Sequence, residues 1–149
     1  MNITVCKLGN CFVGSNRAYI YILYSKSHHV AYVGETNDAN GAIGRLNGHI
    51  SPTGTFCKQI SEKRGIILEE ITDLILFSCS LPQAAEYVSI ERVYRRGVEY
   101  LVQEKLWETC GDLQPYLYIV SNVRYSDTSS IRSVQKLANA IFDAFLDSY

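Results

Sequence analysis

Two apolar, tyrosine-rich segments decide the fold of this chain: residues 17–25 (RAYIYILYS) and residues 29–35 (HVAYVGE). β-Branched and aromatic residues dominate both segments, and only a short polar stretch separates them. Such a pair predicts a β-hairpin. Because side chains alternate between the two faces of a strand, we expect the hydroxyl groups of Tyr19, Tyr21 and Tyr32 on a common side.

A short helix is predicted directly after the hairpin. Residues 36–41 are rich in Asn, Asp and Gly and predict a loop, whereas residues 42–50 (AIGRLNGHI) carry apolar side chains at helical spacing. Arg45 and His49 are four residues apart in this segment. We therefore expect them to project side by side from one face of the helix.

The rest of the chain alternates helical and extended patterns. The predicted elements are a short helix at 56–63, a strand at 70–78, a long helix at 83–108, a strand at 116–120 and a last helix at 131–146, capped by Ser129 or Ser130. This order predicts an α+β fold, with a small three-stranded antiparallel sheet flanked by helices and an extra C-terminal strand and helix.

Length and composition favour one globular domain. The chain has 149 residues, 47% of them hydrophobic, with no linker-like segment and no repeat. These values exclude a disordered chain, and no apolar run approaches the roughly 20 residues that a membrane span needs. We treat residues 1–149 as a single domain without a membrane segment.

The net charge of -1 conceals an asymmetry along the chain. Residues 1–64 hold seven Lys and Arg against three Asp and Glu, whereas residues 65–149 hold seven against twelve. A basic first half can face phosphate while the acidic half maintains solubility. The split is compatible with a nucleic-acid partner but does not by itself establish one.

The five cysteines favour reduced thiols in a cytoplasmic protein. Their number is odd, none forms a Cys-x-x-Cys pair, and none has zinc-finger spacing to a histidine. The first residues, MNITVCKL, lack the basic segment and apolar run of a secretion signal. We therefore expect a cytoplasmic location and neither structural zinc nor a disulfide framework.

One ordered set of motifs resembles the catalytic module of the GIY-YIG endonuclease family. The tripeptides YIY (residues 19–21) and YVG (residues 32–34) are separated by ten residues, and Arg45 and His49 follow on one helix face. The resemblance covers roughly residues 17–108, where the first tripeptide has Tyr in place of the usual Gly. It implies a nuclease core at 17–108 and a C-terminal extension at 109–149 that packs on this core.

The resemblance also implies a catalytic set and a metal ligand. The implied catalytic residues are Tyr21, Tyr32, Arg45, His49 and Glu99. Glu99, in the segment GVEYLV, best fits the family's metal-binding glutamate, with Glu104 and Glu91 as alternatives on the same predicted helix. The implied cofactor is Mg²⁺ or Mn²⁺. A simpler interpretation makes Glu99 an ion-pair partner of Arg95 one turn earlier.

These residue types suit phosphodiester hydrolysis on chemical grounds. Arg45 can offer bidentate donors to the negative charge that develops in the transition state. A single carboxylate with water ligands is a usual way to hold Mg²⁺. The identity of the general base is left open, since a tyrosine with a pKa near 10 is protonated at pH 7 unless a neighbouring group lowers that pKa. Tyr21, Tyr32 and His49 all remain candidates.

The predicted function is therefore Mg²⁺-dependent endonucleolytic hydrolysis of DNA. Lys58, Lys63 and Arg64 are candidates for DNA-binding residues that position phosphates, although a solvated helix face explains them equally well. The alternative function is a non-catalytic nucleic-acid-binding or protein-interaction module on the same scaffold. The presence of all five catalytic residue types argues against this alternative.

Overall fold

A computed structural model describes residues 17–149, and its first element is the predicted hairpin. Strand β1 (Tyr19–Ser25) pairs antiparallel with β2 (Val30–Thr36), with Tyr21 opposite Gly34. Both strands are buried along their whole length. The hairpin is therefore the centre of the sheet, in agreement with its nearly continuous apolar character.

Within residues 17–149, the sheet has four strands in the order β3-β1-β2-β4 and is mixed. β3 (Ile75–Ser80) is antiparallel to β1, whereas the two-residue strand β4 (Tyr118–Ile119) is parallel to β2. Strands β3, β1 and β2 are antiparallel as expected, but the expected extra C-terminal strand joins the same sheet in parallel, so the expectation of a three-stranded antiparallel sheet is wrong. The α+β class is correct. β4 joins because residues 118 and 120 donate backbone hydrogen bonds of 2.8 Å to carbonyls of the hairpin.

Helices cover both faces of the sheet. The helices are α1 (Gly41–Ile50), α2 (Thr55–Arg64), α3 (Ala85–Val88), α4 (Val93–Thr109) and α5 (Arg132–Ser148). α1 and α2 enclose the face that carries Tyr19, Tyr21 and Tyr32, so these tyrosines share one side as predicted. α3, α4 and α5 pack on the opposite face.

The predicted helix at 83–108 is interrupted, because the chain leaves helical geometry between α3 and α4. Arg92 has a left-handed backbone (φ +63°), which a non-glycine residue rarely adopts. The guanidinium of Arg95 donates 2.6 Å hydrogen bonds to the carbonyls of Tyr87 and Ser89. Those carbonyls are satisfied by a side chain rather than by the next helical turn, so the break is stable.

Two further boundaries differ from the predictions. The strand expected at 70–78 begins only at Ile75, since Asp73 accepts hydrogen bonds from Ser25 and Ser27 at the hairpin turn. The prediction that a serine caps the last helix is wrong, because no side chain caps it. Residues Asp127–Ser130 form a 3-10 turn instead.

Three cysteines, Cys57, Cys79 and Cys110, are free thiols. Cys6 and Cys11, and Lys7 of the basic first half, lie outside the described residues. Within residues 17–149, no helix has the length and apolar character needed to cross a membrane.

Candidate active site

The glycine of the second tripeptide makes room for the tyrosine of the first. Gly34 lies opposite Tyr21 in the hairpin register, and the Tyr21 ring lies directly over it. A β-carbon at position 34 would overlap the hydroxyl end of that ring. The absence of a side chain is therefore a packing requirement of this site.

His49 of α1 contacts both tyrosines. Its Nε2 shares a 2.5 Å hydrogen bond with the Tyr21 hydroxyl, and its ring centroid is 4.8 Å from that of Tyr32. His49 is buried, and its Nδ1 has no hydrogen-bond partner among the described residues. Burial, reinforced by the nearby Arg45 charge, lowers the pKa of His49 to about 4. The imidazole is thus neutral at neutral pH.

Both tyrosines are protonated in the protein without bound ligands. Burial, with a further contribution from Tyr32, raises the pKa of Tyr21 well above its usual value of 10. Burial and the Glu99 charge raise the pKa of Tyr32 to about 12. Arg45 opposes both changes without reversing them. Of the three candidate bases, only His49 is in its basic form at neutral pH.

A cleft of about 210 Å³ lies beside this cluster, where β4 ends and the edge of β2 loses its partner strand. Gln103 and Ser121 occupy that edge. The Val33 N–H donates to the Ser121 hydroxyl at 3.2 Å, and the Gln103 amide donates to the same hydroxyl at 3.1 Å. The exposed strand edge is thereby capped by side chains, which leaves room for a ligand above them.

The lining of the cleft is strongly cationic. The residues that line it are Tyr32, Val33, Arg45, Thr55, Gln59, Arg92, Arg96, Glu99, Gln103, Ser121, Asn122 and Arg124. Four arginines thus surround a single carboxylate. Tyr21 and His49 do not line the cleft, but the His49 ring contacts the ring of Tyr32, which does.

Glu99 carries a perturbed carboxyl group. Burial and the neighbouring Glu35 charge raise its pKa to about 7, while Arg92, Arg96 and Arg124 act in the opposite direction. It forms no direct ion pair with another residue in the described range, 17–149. Such a carboxylate fits Mg²⁺, which often takes one protein oxygen and keeps several waters. A bound cation would also relieve the cost of ionising this group.

The interpretation of Glu99 as the partner of Arg95 is wrong, because Arg95 pairs with Glu35 instead. Arg95 Nε donates to Glu35 Oε2 at 2.6 Å, and Arg92 Nε donates to Oε1 at 2.5 Å. Glu35 and Arg95 are both buried. The register of a helix places residues 95 and 99 near each other, but a carboxylate 60 positions away has the closer contact.

The alternative metal ligands lie elsewhere. Glu104 accepts a 2.7 Å hydrogen bond from the Tyr100 hydroxyl and does not line the cleft. Glu91 is exposed on the break before α4. Among the described residues, no group of three or more His, Cys, Asp or Glu is placed to hold a metal. Any ion in this cleft would therefore depend on Glu99 and water.

The predicted DNA-binding residues do not line the cleft. Lys63 donates hydrogen bonds to the Val120 carbonyl and the Asn122 side chain, and Arg64 stacks over the Tyr118 ring. Both attach α2 to the C-terminal segment. Lys58 lines a separate depression beside Ile67.

Arg92, Arg96 and Arg124 are the residues that the sequence reasoning missed. All three come from the acidic half of the chain, so the charge split pointed to the wrong half. Arg92, Arg96, Glu99 and Gln103 recur at intervals of four, three and four residues. The spacing places Arg96, Glu99 and Gln103 on one face of α4, with Arg92 at its N-terminal boundary, and it is a sequence signal for Arg92 and Arg96. No local pattern indicates Arg124.

Comparison of the chain with protein-family models, with curated proteins and with solved structures found no match.

Proposed function

We propose that this protein is a Mg²⁺- or Mn²⁺-dependent endonuclease that hydrolyses DNA phosphodiester bonds in the manner of the GIY-YIG family. The observation that carries the proposal is that Tyr32, Arg45 and Glu99 line one cleft, while the hydrogen-bonded Tyr21–His49 pair packs against Tyr32. These are the five residues that the motif resemblance implies. Their sequence separations range up to 78 positions, so only the fold unites them.

The charge of the cleft supports a phosphodiester substrate. Four guanidinium groups against one carboxylate suit an anion that gains negative charge as it reacts. Arg45, Arg96 and Arg124 are exposed, so their planar donor groups are accessible to phosphate oxygens. The distribution over several elements also suits contact with more than one phosphate of a strand.

Glu99 is the residue that would hold the metal ion. When bound, the ion supplies Lewis-acid stabilisation of the leaving 3′ oxygen. Glu99 must be ionised for this role, and its pKa of about 7 makes ion binding weaken below neutral pH. The arginines around it hold the DNA strand and disperse the charge of the transition state.

We assign the role of final proton acceptor to His49, because it is deprotonated at neutral pH and its Nε2 shares a hydrogen bond with the Tyr21 hydroxyl. In the proposed path Tyr32 orients the attacking water, whose proton moves to the Tyr21 oxygen as the Tyr21 proton moves to His49 Nε2. The water O–H bond breaks, the water oxygen bonds to phosphorus, and the bond between phosphorus and the 3′ oxygen breaks, after which the 3′ oxygen takes a proton from solvent. A tyrosinate base is less suitable, because burial keeps both phenols protonated.

Incubation with plasmid, branched and single-stranded DNA, with and without Mg²⁺ or Mn²⁺, tests the proposal. We expect metal-dependent cleavage that collapses in Glu99→Gln, while metal-free DNA binding remains nearly intact. Glu104→Gln is the matched control and should cut normally. A folded protein that binds DNA but cuts none of these substrates would favour the non-catalytic alternative.

The free thiols fit a reducing compartment, and we include a cytoplasmic location in the proposal.

A further inference from the structure

A buried ion-pair network lies beside the cleft and shares Arg92 with it, outside the set of motif residues. Glu35 follows the second tripeptide on β2 and is only 4% exposed. One carboxylate oxygen accepts from Arg92 and the other from Arg95. With both oxygens engaged by guanidinium groups, Glu35 has little capacity left to bind a metal, which assigns it a different role from Glu99.

The two arginines differ in what they reach. The Arg95 side chain is 1% exposed, and its Nη1 donates to the carbonyls of residues 87 and 89. The Arg92 side chain is 46% exposed and lines the cleft. Glu35 therefore links the buried Arg95 to Arg92, whose charge faces the candidate substrate.

The backbone at Arg92 does not by itself hold the side chain in one position. Its left-handed conformation is unfavourable for a non-glycine residue, and Arg92 lies in the segment between α3 and α4, outside both helices. A long exposed side chain on this segment would otherwise sample several rotamers. The carboxylate of Glu35 restricts the guanidinium to one orientation, with its remaining N–H groups available to the cleft.

We infer that Glu35 is a positioning residue, which, together with Arg95, holds the Arg92 guanidinium in the orientation that contacts the scissile phosphate group. The inference rests on the proposed nuclease function. The inference predicts opposite effects of Glu35→Gln on DNA affinity and on kcat. Glu35→Gln removes a negative charge next to the cleft, so metal-free DNA binding should be unchanged or a few-fold tighter. The phosphate contact loses its geometry, so kcat should fall tenfold or more.

The test compares Glu35→Gln, Arg92→Gln and their double variant, with Glu86→Gln, an exposed carboxylate on α3, as the control. Fluorescence anisotropy measures the affinity for a labelled duplex in the absence of metal. A cleavage assay at saturating DNA measures kcat. We expect the double variant to cut no more slowly than Arg92→Gln alone, because both changes remove one contact. A folded Glu35→Gln enzyme with wild-type kcat, or additive losses in the double variant, would overturn the inference.

Loss of a buried charge can also unfold the protein, so a second comparison does not touch Glu35. Arg92→Lys keeps the charge, but all its donors lie on one nitrogen atom. Its kcat should therefore fall nearly as far as that of Arg92→Gln. Wild-type cleavage by Arg92→Lys would overturn the inference.

An NMR measurement of hydrogen exchange tests the inference independently of DNA cleavage. The Nε–H signals of Arg92 and Arg95 should both be protected from exchange in the wild type, and loss of protection for Arg92 in Glu35→Gln is expected. An unprotected Arg92 signal in the wild type would contradict the inference. A wild type that shows this protection but cuts no DNA would instead contradict the proposed function.

Discussion

Replacing Glu99 by glutamine is expected to stabilise the metal-free protein at pH 8. The folded state raises the pKa of Glu99 from 4.5 to about 7. Between these values the folded protein keeps a proton that the unfolded chain releases, so the free energy of unfolding falls as pH rises through this window. Above pH 7 the full cost of the buried charge is present, and glutamine removes it.

The size of this effect follows from the shift. At about 1.4 kcal/mol per pKa unit, the ionised carboxylate costs about 3 kcal/mol at pH 8. Water in the cleft and the burial of the new amide reduce the gain to about 1–2 kcal/mol. For a chain of this length the melting temperature should rise by about 2–6 °C. At pH 5 the gain should fall to about a quarter, because the folded carboxyl is then almost fully protonated and pH 5 is only about half a unit above the pKa of the unfolded chain.

Thermal unfolding in EDTA at pH 5 and pH 8 measures the effect. Glu104→Gln is the control, because its side chain keeps an acceptor for the Tyr100 hydroxyl and lies outside the cleft. Its melting temperature should stay within about 1 °C of the wild type. Saturating Mg²⁺ should raise the melting temperature of the wild type but not of Glu99→Gln. A Glu99→Gln protein that melts at or below the wild-type temperature at pH 8 would refute this reasoning.

Three further outcomes are expected. Gly34→Ala should displace the Tyr21 ring, lower the free energy of unfolding by about 1–3 kcal/mol in urea titrations and abolish cleavage. His49 has a folded pKa of about 4, below the usual 6.5, so the unfolded chain alone gains a proton there as pH falls. Wild-type stability should therefore drop by about 2–3 kcal/mol more than that of His49→Gln between pH 6.5 and 4. Arg96→Ala combined with Arg124→Ala should reduce the slope of log affinity against log salt by about 1.5–2, measured by anisotropy in EDTA.

Each of these outcomes has a result that contradicts it. A fully active Gly34→Ala enzyme would mean that the Tyr21 ring does not need its observed position. Parallel pH profiles for the wild type and the histidine variant would mean that His49 titrates normally. An unchanged salt slope would place the phosphate contacts outside the cleft.

Features that depend on local spacing were predictable from the sequence. The hairpin, the first helix and the adjacent positions of residues 45 and 49 follow from side-chain periodicities of two and 3.6, which the covalent geometry of the backbone imposes. The common side of Tyr21 and Tyr32 follows in the same way. The segments that carry the candidate site were therefore recognisable before any tertiary contact was known.

Local spacing also explains where the predictions were wrong. Residues 83–108 are compatible with one helix, but a guanidinium that satisfies two carbonyls stabilises a break within them. Residues 116–120 indicate a strand, yet nothing in them specifies a parallel partner. The periodicity of apolar side chains indicates which backbone conformation a segment favours. It does not indicate which distant group competes for the hydrogen bonds of that segment.

The electrostatic character of the site was decided by the tertiary structure alone. Glu35 and Arg95 are 60 positions apart, and Arg124 reaches the cleft from beyond the last strand. The neutral state of His49 and the high pKa of Glu99 both arise from burial beneath several elements. Residue order determines which groups are available, but desolvation and charge proximity depend on the distances that only the packed chain sets, because Coulomb energies and hydration vary with position in space.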